Sequence, residues 1–248
     1  MKAICVHGFT QTSQSWSQVA PLLVAAPSGA LTNSGFNEVV ALDAPGHGTE
    51  QSRQLSLTEG AIDLGRRGGP GVYIGYSMGA RLSLHLALHS PELVHGLVMI
   101  GGTAGIDDPA ERAARRVADE ALGKRIIDIG VDAFLDEWLR QPLFATLPAD
   151  HAGAAERRLH SAEALAGSLR TAGTGTQEPL WDRLGELSMP VLVITGELDH
   201  KFTEIAQRFV ELITDCEHVV IPAVGHAVHL EAPAATASAI VSWWNRVS

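Results

Sequence analysis

The chain of 248 residues is long enough to bury one sizeable core, with room for an inserted subdomain. Its apolar fraction of 46% and charged fraction of 19% are those of an ordinary globular protein. The formal net charge of −10 argues against nucleic acid or an anionic membrane as the main partner, because both repel an acidic surface. It does not exclude a small anionic substrate, since a local cluster of arginines can reverse the field inside a pocket.

The sequence carries no signal for disulfides, metals or membranes. Cys5 and Cys216 form no CxxC pair, so a disulfide framework or a thiolate zinc site is not expected. No His, Cys and carboxylate cluster has the spacing of metal ligands. The amino terminus enters a strand pattern without an apolar signal segment, and no apolar run approaches the length of a membrane span. We therefore expect a soluble cytoplasmic protein, a monomer or a weak homo-oligomer, that needs neither metal nor cofactor.

Short β-rich apolar runs alternate with longer helical patterns, which is typical of a parallel sheet covered by helices on both faces. The runs are nearly continuous, as expected for strands buried on both faces. The pattern thus predicts an α/β fold with a mostly parallel, doubly wound sheet. The predicted strands are Ala3–Val6, Val39–Leu42, Val72–Gly75, Leu97–Ile100, Val191–Thr195 and Val219–Ile221. The predicted helices are Ser15–Ala26, Leu57–Arg67, Met78–His89, Thr203–Thr214 and Ala234–Val247.

The alternation stops between the fourth and fifth predicted strands. Residues 103–188 hold several helical patterns and no convincing strand. The first pattern has Asp108 as its capping residue, Pro109 in the first helical position and Glu111 three residues after the cap. Such a helical cap should cover the carboxyl edge of the sheet, where open α/β sheets place their sites. The sequence therefore predicts a core of residues 1–102 and 189–248 and a cap of residues 103–188.

A G-x-S-x-G motif lies at Gly75–Gly79, between a predicted strand and a predicted helix. In this context the glycines permit a strained turn that exposes the serine oxygen, as in the α/β-hydrolase fold. The helix N-terminus behind the turn favours negative charge. The alternative is a glycine-rich turn with an idle serine. The position between strand and helix makes Ser77 the candidate nucleophile.

In the α/β-hydrolase fold an acid and then a histidine follow the serine along the chain. Asp199 comes after a buried strand and is placed to orient a histidine, with Glu197 as the competing carboxylate. His226 lies on a glycine loop past the last strand, whereas His229 begins the approach to the last helix. We therefore predict that Ser77, Asp199 and His226 form a catalytic triad.

An oxyanion hole needs two backbone donors aimed at one point. One is predicted to be the N–H of Met78, directly after the serine. The other is predicted to be the N–H of Phe9, in the loop after the first strand. The tight loop Asp43–Gly48 lies at the same sheet edge, and we expect it to shape the pocket wall without taking part in chemistry.

Arginines accompany the predicted triad. Arg81 is four residues beyond Ser77 and therefore lies one helical turn along on the same face. A guanidinium there costs desolvation free energy unless an anion or carboxylate meets it. Any one cap arginine could simply be solvated, but several above a triad favour a pocket that binds carboxylates. The cap arginines considered for this pocket are Arg112, Arg115, Arg116, Arg157 and Arg158.

Six segments carry a resemblance to a known family. Three are shared by many hydrolases: HGFTQTSQSW at His7–Trp16, LDAPGHG at Leu42–Gly48 and GYSMGARLSLHLAL at Gly75–Leu88. Three narrower signals lie in the cap: GIDDPAERAARRVADEAL at Gly105–Leu122, FLDEWLRQPLF at Phe134–Phe144 and LAGSLRTAGTGTQEPLWDRL at Leu165–Leu184. On these segments the chain resembles the 2-succinyl-6-hydroxy-2,4-cyclohexadiene-1-carboxylate synthases of menaquinone biosynthesis. It departs from them at Ala80, where glycine is commoner, and in the longer stretch Pro27–Asn37.

Enzymes of that family are lyases that remove a proton from a cyclohexene ring and expel pyruvate. The resemblance implies that Ser77, activated by His226 and Asp199, acts as the base without an acyl intermediate. It also implies a small substrate with three carboxylates. The positions that match family substrate-binding residues are Tyr76, Arg81, Arg115, Trp138 and Arg158, the last with a spacing one residue short and Arg157 adjacent to it.

Two rival functions follow from the same residues. A carboxylesterase or a carbon–carbon bond hydrolase could use the same triad, although such enzymes often carry apolar residues where Arg81 and Arg115 lie. A catalytically silent ligand-binding protein is the second rival, and an intact serine, aspartate and histidine in the correct order count against it. Release of pyruvate from the enolpyruvyl substrate discriminates among the three.

Overall fold

The computed structural model describes residues 1–24 and 35–248. Six strands form one parallel sheet in the order β2-β1-β3-β4-β5-β6. The six predicted strands are confirmed, and each is somewhat longer than its apolar run. The strands are β1 Lys2–Val6, β2 Glu38–Leu42, β3 Gly71–Tyr76, β4 Val94–Ile100, β5 Val191–Gly196 and β6 Cys216–Ile221.

Helices cover both faces of the sheet, so that two hydrophobic clusters form. Side chains of one strand alternate between them: Ile4 and Val6 of β1 belong to one cluster, Ala3 and Cys5 to the other. In the two described ranges no helix is both long and apolar enough to cross a membrane. The helices are α1 Ala20–Leu23, α2 Leu57–Gly68, α3 Met78–His89, α4 Pro109–Trp138, α5 Ala154–Arg157, α6 Ala162–Ala172, α7 His200–Leu212, α8 Val228–Glu231 and α9 Pro233–Val247.

The prediction of one helix over Ser15–Ala26 is wrong. The structure has a 3₁₀ turn at Ser13–Trp16 and then the short helix α1, in which Pro21 occupies the first turn. Proline has no N–H to donate to the carbonyl four residues earlier, so a helix cannot run through it unbroken. Val24 is already extended (ψ 135°) and bridges to Phe36. The last two residues of the predicted helix, and most of the stretch Pro27–Asn37, lie outside the described residues.

The segment between β4 and β5, all of which the structure describes, contains only helices and turns. We call this segment the helical insert. Asp108 caps α4 as predicted: its Oδ1 accepts hydrogen bonds from the N–H groups of Ala110 and Glu111, both at 2.8 Å. Gly130, with φ 77°, breaks α4 into two parts. Helices α4 and α6 pack around a small cluster of their own, formed by Ile126, Phe134, Leu135, Leu165 and Leu169.

Candidate active site

Ser77 stands at the tip of a sharp turn between β3 and α3. Its φ of 51° and ψ of −105° are values that a residue with a Cβ rarely adopts. The Ser77 N–H donates to the carbonyl of Ile100 at 2.8 Å, which ties the turn to the end of β4. A Cβ on Gly75 would lie 2.4 Å from the Gly79 carbonyl oxygen, and one on Gly79 would lie 2.1 Å from that of Val6. The motif therefore needs both glycines for close backbone packing.

The structure brings Ser77, His226 and Asp199 into one hydrogen-bonded chain. His226 Nδ1 lies 2.7 Å from Asp199 Oδ2, and His226 Nε2 lies 3.4 Å from Ser77 Oγ. Because a carboxylate only accepts, Nδ1 carries the hydrogen and Nε2 is left to accept the serine hydroxyl. The imidazole is 3% exposed and packs against the Phe202 ring, with centroids 4.5 Å apart. A Cβ on Gly101 would lie 2.8 Å from its Cε1 atom, so only glycine fits there.

Asp199 has a second role that its position in the sequence did not suggest. Its Oδ1 accepts a hydrogen bond of 3.4 Å from the Phe202 N–H and so caps α7. For this reason the helix begins at His200 instead of the predicted Thr203, and it ends at Leu212. This helix-capping hydrogen bond fixes the Asp199 carboxylate, because one oxygen holds the start of α7 while the other faces His226.

The two competing residues occupy other positions. Glu197 is exposed, and its Oε2 accepts a hydrogen bond of 2.8 Å from the Ala223 N–H. His229 is fully buried between the rings of Trp16 and Tyr76, with centroids 4.7 and 4.3 Å away. Neither nitrogen of His229 has a hydrogen-bond partner among the described residues. The serine thus meets His226 and not His229, and the histidine meets Asp199 and not Glu197.

A cavity of about 200 Å³ lies over Ser77, lined both by loops at the sheet edge and by the helical insert. A neighbouring cavity of about 440 Å³ shares Ser77, Arg81, Arg115 and Lys201 with it. Of the residues predicted for the site, those that line the first cavity are Phe9, Tyr76, Ser77, Met78, Arg81, Arg115, Trp138 and His226. We call this first cavity, of about 200 Å³, the Ser77 cavity.

The two predicted oxyanion donors both border the Ser77 cavity. Met78 is the first residue of α3, where the N–H has no acceptor within the helix. The N–H of Phe9 has no hydrogen-bond acceptor among the described residues. Both groups are therefore available to a negative oxygen. The loop Asp43–Gly48, by contrast, does not border this cavity: our expectation that it shapes the wall is wrong, and it packs behind Phe9 and against the insert.

Arg81 projects from α3 into the Ser77 cavity and is 6% exposed. Its Nη1 lies 3.5 Å from Gln177 Oε1, and no carboxylate of the described residues lies within ion-pair distance. Burial, together with the nearby Arg115 charge, lowers the pKa of Arg81 to about 10. The guanidinium is therefore still charged at neutral pH, and no carboxylate in the described part of the chain pairs with it.

Arg115 reaches the same cavity from α4. Its Nε donates to Asp119 Oδ1 at 2.8 Å, and Asp119 is 3% exposed. The other oxygen of Asp119 accepts the Gly175 N–H at 3.3 Å, which ties α4 to the turn Thr174–Thr176. A Cβ on Gly175 would lie 2.4 Å from the Arg116 N, so this turn requires glycine. The narrow sequence signal GTGTQ therefore has a structural cause.

The prediction that Arg158 lies in the pocket is wrong in this structure. Arg158 lies at the surface and pairs with Asp132 at 2.9 Å and with Asp136 at 2.6 Å. Arg157, the adjacent alternative, is 2% exposed and borders the Ser77 cavity. Burial lowers the pKa of Arg157 to about 10, so it too stays charged at neutral pH.

Aromatic side chains form the remaining wall. The Trp138 ring packs edge-on against Phe9, with centroids 5.4 Å apart, and tilts against Phe144 at 5.8 Å. The Tyr76 ring lies 5.3 Å from that of His226, and burial raises the pKa of the Tyr76 hydroxyl above its usual range. These residues join the insert to the loops of the core.

Sequence reasoning gave no role to several polar or aromatic residues at the site. Lys201 and Phe202 lie in the first turn of α7, directly after Asp199, and that proximity was the available signal. Gln177 belongs to the GTGTQ run, which was noted without a role for its glutamine. Gln11 lies in the loop after β1 and borders the cavity.

Metal ligands are not grouped in the described part of the chain. No three His, Cys, Asp or Glu side chains within residues 1–24 and 35–248 lie so as to hold an ion. Cys5 is buried, Cys216 is partly buried, and both are free thiols. Burial raises the pKa of Cys216 to about 12.

The parallel sheet, the strained serine turn and the Ser–His–Asp chain define an α/β hydrolase, and residues 3–239 match the Alpha/beta hydrolase family. The chain is 35% identical to a putative 2-succinyl-6-hydroxy-2,4-cyclohexadiene-1-carboxylate synthase of Bacillus subtilis (strain 168), over 93% of this chain and 85% of that protein. It therefore belongs to the family of these synthases. A synthase of the same name from Serratia proteamaculans (strain 568) is 29% identical over 95% of this chain and 89% of its own length. The structure of MenH from S. aureus superposes with a TM-score of 0.88 at 26% identity, covering 99% of this chain and 94% of that one.

Proposed function

We propose that this protein eliminates pyruvate from 2-succinyl-5-enolpyruvyl-6-hydroxy-3-cyclohexene-1-carboxylate to give 2-succinyl-6-hydroxy-2,4-cyclohexadiene-1-carboxylate. The observation that carries the proposal is Arg81, a buried cation without a carboxylate partner among the described residues, one helical turn from Ser77. A buried cation costs desolvation free energy unless an anion meets it, and a neutral ester supplies no such anion. Membership of the synthase family supports the same reaction.

Ser77 and His226 supply the base. The ring carbon that bears the succinyl group loses its proton to Ser77 Oγ, while the hydroxyl proton of the serine passes to His226 Nε2. The electrons of the C–H bond form a new ring double bond, the existing one shifts, and the C–O bond to the enolpyruvyl group breaks. The leaving pyruvate enolate takes the proton from His226, so that the serine hydroxyl and the neutral imidazole are restored. Asp199 holds the imidazole in the required tautomer.

The two backbone donors have a specific role in this scheme. The carbon that loses the proton is attached to the ketone of the succinyl group, so negative charge develops on that ketone oxygen. The N–H groups of Phe9 and Met78 stabilise the charge, as an oxyanion hole does in acyl transfer. No covalent intermediate is required, because the reaction ends with elimination and not with hydrolysis.

The cations of the Ser77 cavity match the charge of the substrate, which carries three carboxylates. Arg81, Arg115 and Arg157 border the cavity from three different elements. A guanidinium binds a carboxylate through two parallel hydrogen bonds, which fixes orientation as well as charge. The chain as a whole is acidic, so this local cluster is needed to attract a tricarboxylate. Tyr76 and Trp138 complete the wall against the ring of the substrate.

One assay tests the proposal. The purified protein is mixed with the enolpyruvyl substrate, and pyruvate is measured by its reduction with NADH and lactate dehydrogenase. We expect rapid pyruvate release, with the cyclohexadiene product detected by its absorbance. Hydrolysis of neutral esters without pyruvate release would instead assign the protein to the carboxylesterases, and absence of both activities would favour a ligand-binding role.

A further inference from the structure

The loop that carries the Phe9 N–H contains a strained residue. Thr10 has a φ of 68°, in the left-handed region, which a β-branched residue adopts only when its surroundings hold it there. Its side chain is fully buried. Its neighbours Phe9 and Gln11 border the Ser77 cavity, but Thr10 is not among the described residues that do so. Thr10 can therefore affect the reaction only through other residues.

The core and the insert each hold Thr10 by one hydrogen bond. The Thr10 N–H donates to His47 Nε2 at 3.3 Å, and the Thr10 hydroxyl accepts a hydrogen bond from Arg157 Nη1. Arg157 is itself fixed, because its Nε donates to the Ala152 carbonyl at 2.7 Å. This pair joins the helical insert directly to the loop after β1.

The backbone of Arg157 is anchored as well. His160 Nδ1 lies 2.8 Å from the Arg157 carbonyl oxygen, and His160 Nε2 accepts the Gly48 N–H at 3.1 Å. Because Nε2 accepts, the hydrogen of this imidazole is on Nδ1, which donates to the Arg157 carbonyl. The segment around Arg157 is therefore clamped to two loops of the core at once.

We propose that Arg157 and Thr10 position the loop after β1 that carries the Phe9 N–H, which we call the oxyanion loop. The Arg157 guanidinium holds Thr10 in its strained conformation and thereby aims the Phe9 N–H at the reacting oxygen. This inference rests on the proposed function in one respect, that the Phe9 N–H serves a developing negative charge. Arg157 belongs to the insert, whereas Phe9 belongs to the core. The two parts of the molecule thus build the oxyanion hole together.

The same guanidinium also faces the substrate. Arg157 Nη2 has no acceptor among the described residues, and the residue borders the Ser77 cavity. A substrate carboxylate bound at Nη2 further restrains the group that holds Thr10. Binding of the anion and alignment of the Phe9 N–H are therefore coupled through a single side chain, and the coupling is lost when the Thr10 hydroxyl is removed.

The test compares Thr10→Val with Thr10→Ser. Valine keeps the shape and the β-branching of threonine and lacks only the acceptor, whereas serine keeps the hydroxyl. Two rates are measured: pyruvate release, and phosphonylation of Ser77 by a neutral phosphonofluoridate, followed by mass spectrometry. Loss of an oxyanion donor costs about 10²–10³-fold, so misalignment in Thr10→Val should lower kcat and the labelling rate by at least about tenfold. Thr10→Ser should stay within about twofold of the parent, and Thr10→Ala provides the same comparison should valine prevent folding.

Thr236→Val is the matched control. Thr236 is another fully buried threonine whose hydroxyl is hydrogen-bonded, to the Val228 and Ala232 carbonyls, and it lies outside the Ser77 cavity. Thr236→Val should lower the thermal stability as Thr10→Val does. It should nevertheless leave the rates of pyruvate release and of Ser77 labelling within about twofold of the parent protein. Such a result separates loss of positioning from general destabilisation.

A double-mutant comparison tests whether Thr10 acts through Arg157. Once Arg157→Met has removed the guanidinium, adding Thr10→Val should change the labelling rate by less than about twofold. If the effects of the two substitutions on the labelling rate simply multiplied, Thr10 would not act through Arg157. The proposal would also be overturned by a folded Thr10→Val protein that is labelled and releases pyruvate at the parent rates. Labelling requires no anionic substrate, so it still decides this inference if the parent protein releases no pyruvate and the proposed function fails.

Discussion

Arg81 carries a buried charge that no carboxylate of the described residues neutralises. At 6% exposure its guanidinium has lost most of its hydration, and among the described residues it makes one long side-chain hydrogen bond, to the neutral amide of Gln177. Removal of an ion from water costs several kcal/mol, and a partner of opposite charge recovers part of that cost. A bound carboxylate is such a partner. At the residue scale, therefore, the arginines distinguish an anion-processing site from a general esterase site.

Replacement of these arginines should reduce the elimination reaction selectively. A charge-assisted hydrogen bond contributes about 1.5–3 kcal/mol, so Arg81→Ala and Arg115→Ala should each lower kcat/KM for pyruvate release by roughly 10- to 150-fold. The loss should be larger at Arg81, because the Arg115 side chain is 41% exposed and partly screened by water. Arg→Lys should recover only part of the activity, since the planar fork is lost.

Two controls accompany the arginine variants. Arg125→Ala removes an exposed arginine of α4, the helix that carries Arg115. Arg125 pairs with Glu137 and does not border the cavity, so this variant should leave pyruvate release unchanged. Hydrolysis of a small neutral ester should hardly change in Arg115→Ala, because that substrate has no carboxylate to bind. Arginine variants that keep full pyruvate release would contradict the synthase assignment and leave the serine chemistry intact.

The serine and the histidine should each be indispensable. General acid–base steps contribute about 10²–10⁴-fold, so Ser77→Ala and His226→Ala should lower kcat by that order without loss of the folded circular dichroism spectrum. Glu197→Gln serves as the control, since Glu197 is exposed and, among the described residues, accepts a hydrogen bond only from the Ala223 N–H. A decrease of less than about tenfold in either variant would remove that residue from the mechanism.

At the scale of elements, the site depends on four strand ends at one edge of the sheet. Ser77 follows β3, Gly101 follows β4, Asp199 follows β5 and His226 follows β6. All strands are parallel, so their carboxyl ends meet at that edge. The turns after the strands therefore determine whether the side chains converge, and the turn that carries Ser77 is among the most tightly packed of them.

Gly79→Ala should disrupt this turn. Its new Cβ would lie 2.1 Å from the Val6 carbonyl oxygen, which is backbone of a central strand and cannot move without disturbing the sheet. Overpacking of this kind costs about 1–3 kcal/mol or more in the free energy of unfolding. Gly185→Ala is the control, because a Cβ there meets no atom within 4 Å, and its effect should stay within about 0.5 kcal/mol. Urea titrations of both variants measure the difference, and equal midpoints would show that the turn tolerates a side chain.

At the scale of the whole molecule, neutral imidazoles lie where the core meets the insert, with the ring centroids of His47 and His160 5.3 Å apart. His47 Nε2 accepts the Thr10 N–H, and His160 Nε2 accepts the Gly48 N–H, so each must lack a proton on that atom. His7 Nε2 accepts the Ala44 N–H in the same way, at 3.0 Å. Burial lowers the pKa of His7 to about 4, that of His47 well below its ordinary value, and that of His160 below it. The contacts that His7, His47 and His160 make here therefore require unprotonated histidines.

The protein should therefore lose stability in mild acid. In the unfolded chain these histidines bind protons as the pH falls through about 6.5, whereas the folded protein does not protonate His7 until about pH 4. Between these values the unfolded state binds more protons than the folded state, so the free energy of unfolding falls as the pH falls, by up to about 1.4 kcal/mol per pH unit for His7. The lowered pKa values of His47 and His160 act in the same direction. Above pH 6.5 these groups should cause no pH dependence. Urea unfolding from pH 7.5 to pH 4.5 measures the slope.

His47→Gln tests the assignment of that slope. Glutamine can both accept and donate a hydrogen bond but does not titrate, so the free energy of unfolding should fall less steeply below pH 6.5 in this variant than in the parent protein. An unchanged slope would place the acid sensitivity in other groups. The arrangement links pH to the oxyanion loop, because Thr10 contacts His47 directly.

Much of the fold and part of the site could be predicted from local patterns. Strands buried on both faces read as continuous apolar runs, so all six were found at nearly their true positions. The turn at Ser77 can be recognised in the sequence, because only glycine allows backbones to approach as closely as at Gly75 and Gly79. The order of serine, acid and histidine, each after a strand, then indicated which side chains meet.

The tertiary structure decided what no local pattern determines. Arg157 and Arg158 are adjacent, but successive residues of a helical turn point about 100° apart, so one reaches Thr10 and the cavity while the other pairs at the surface with α4. The sequence by itself determined the sheet, the serine turn and the order of the three residues, because those depend on short-range sterics and burial. Which cations face the cavity depends on how the insert packs against the core. The insert reaches the oxyanion loop through Arg157 and Thr10, which are 147 positions apart, and only the packed molecule sets such a contact.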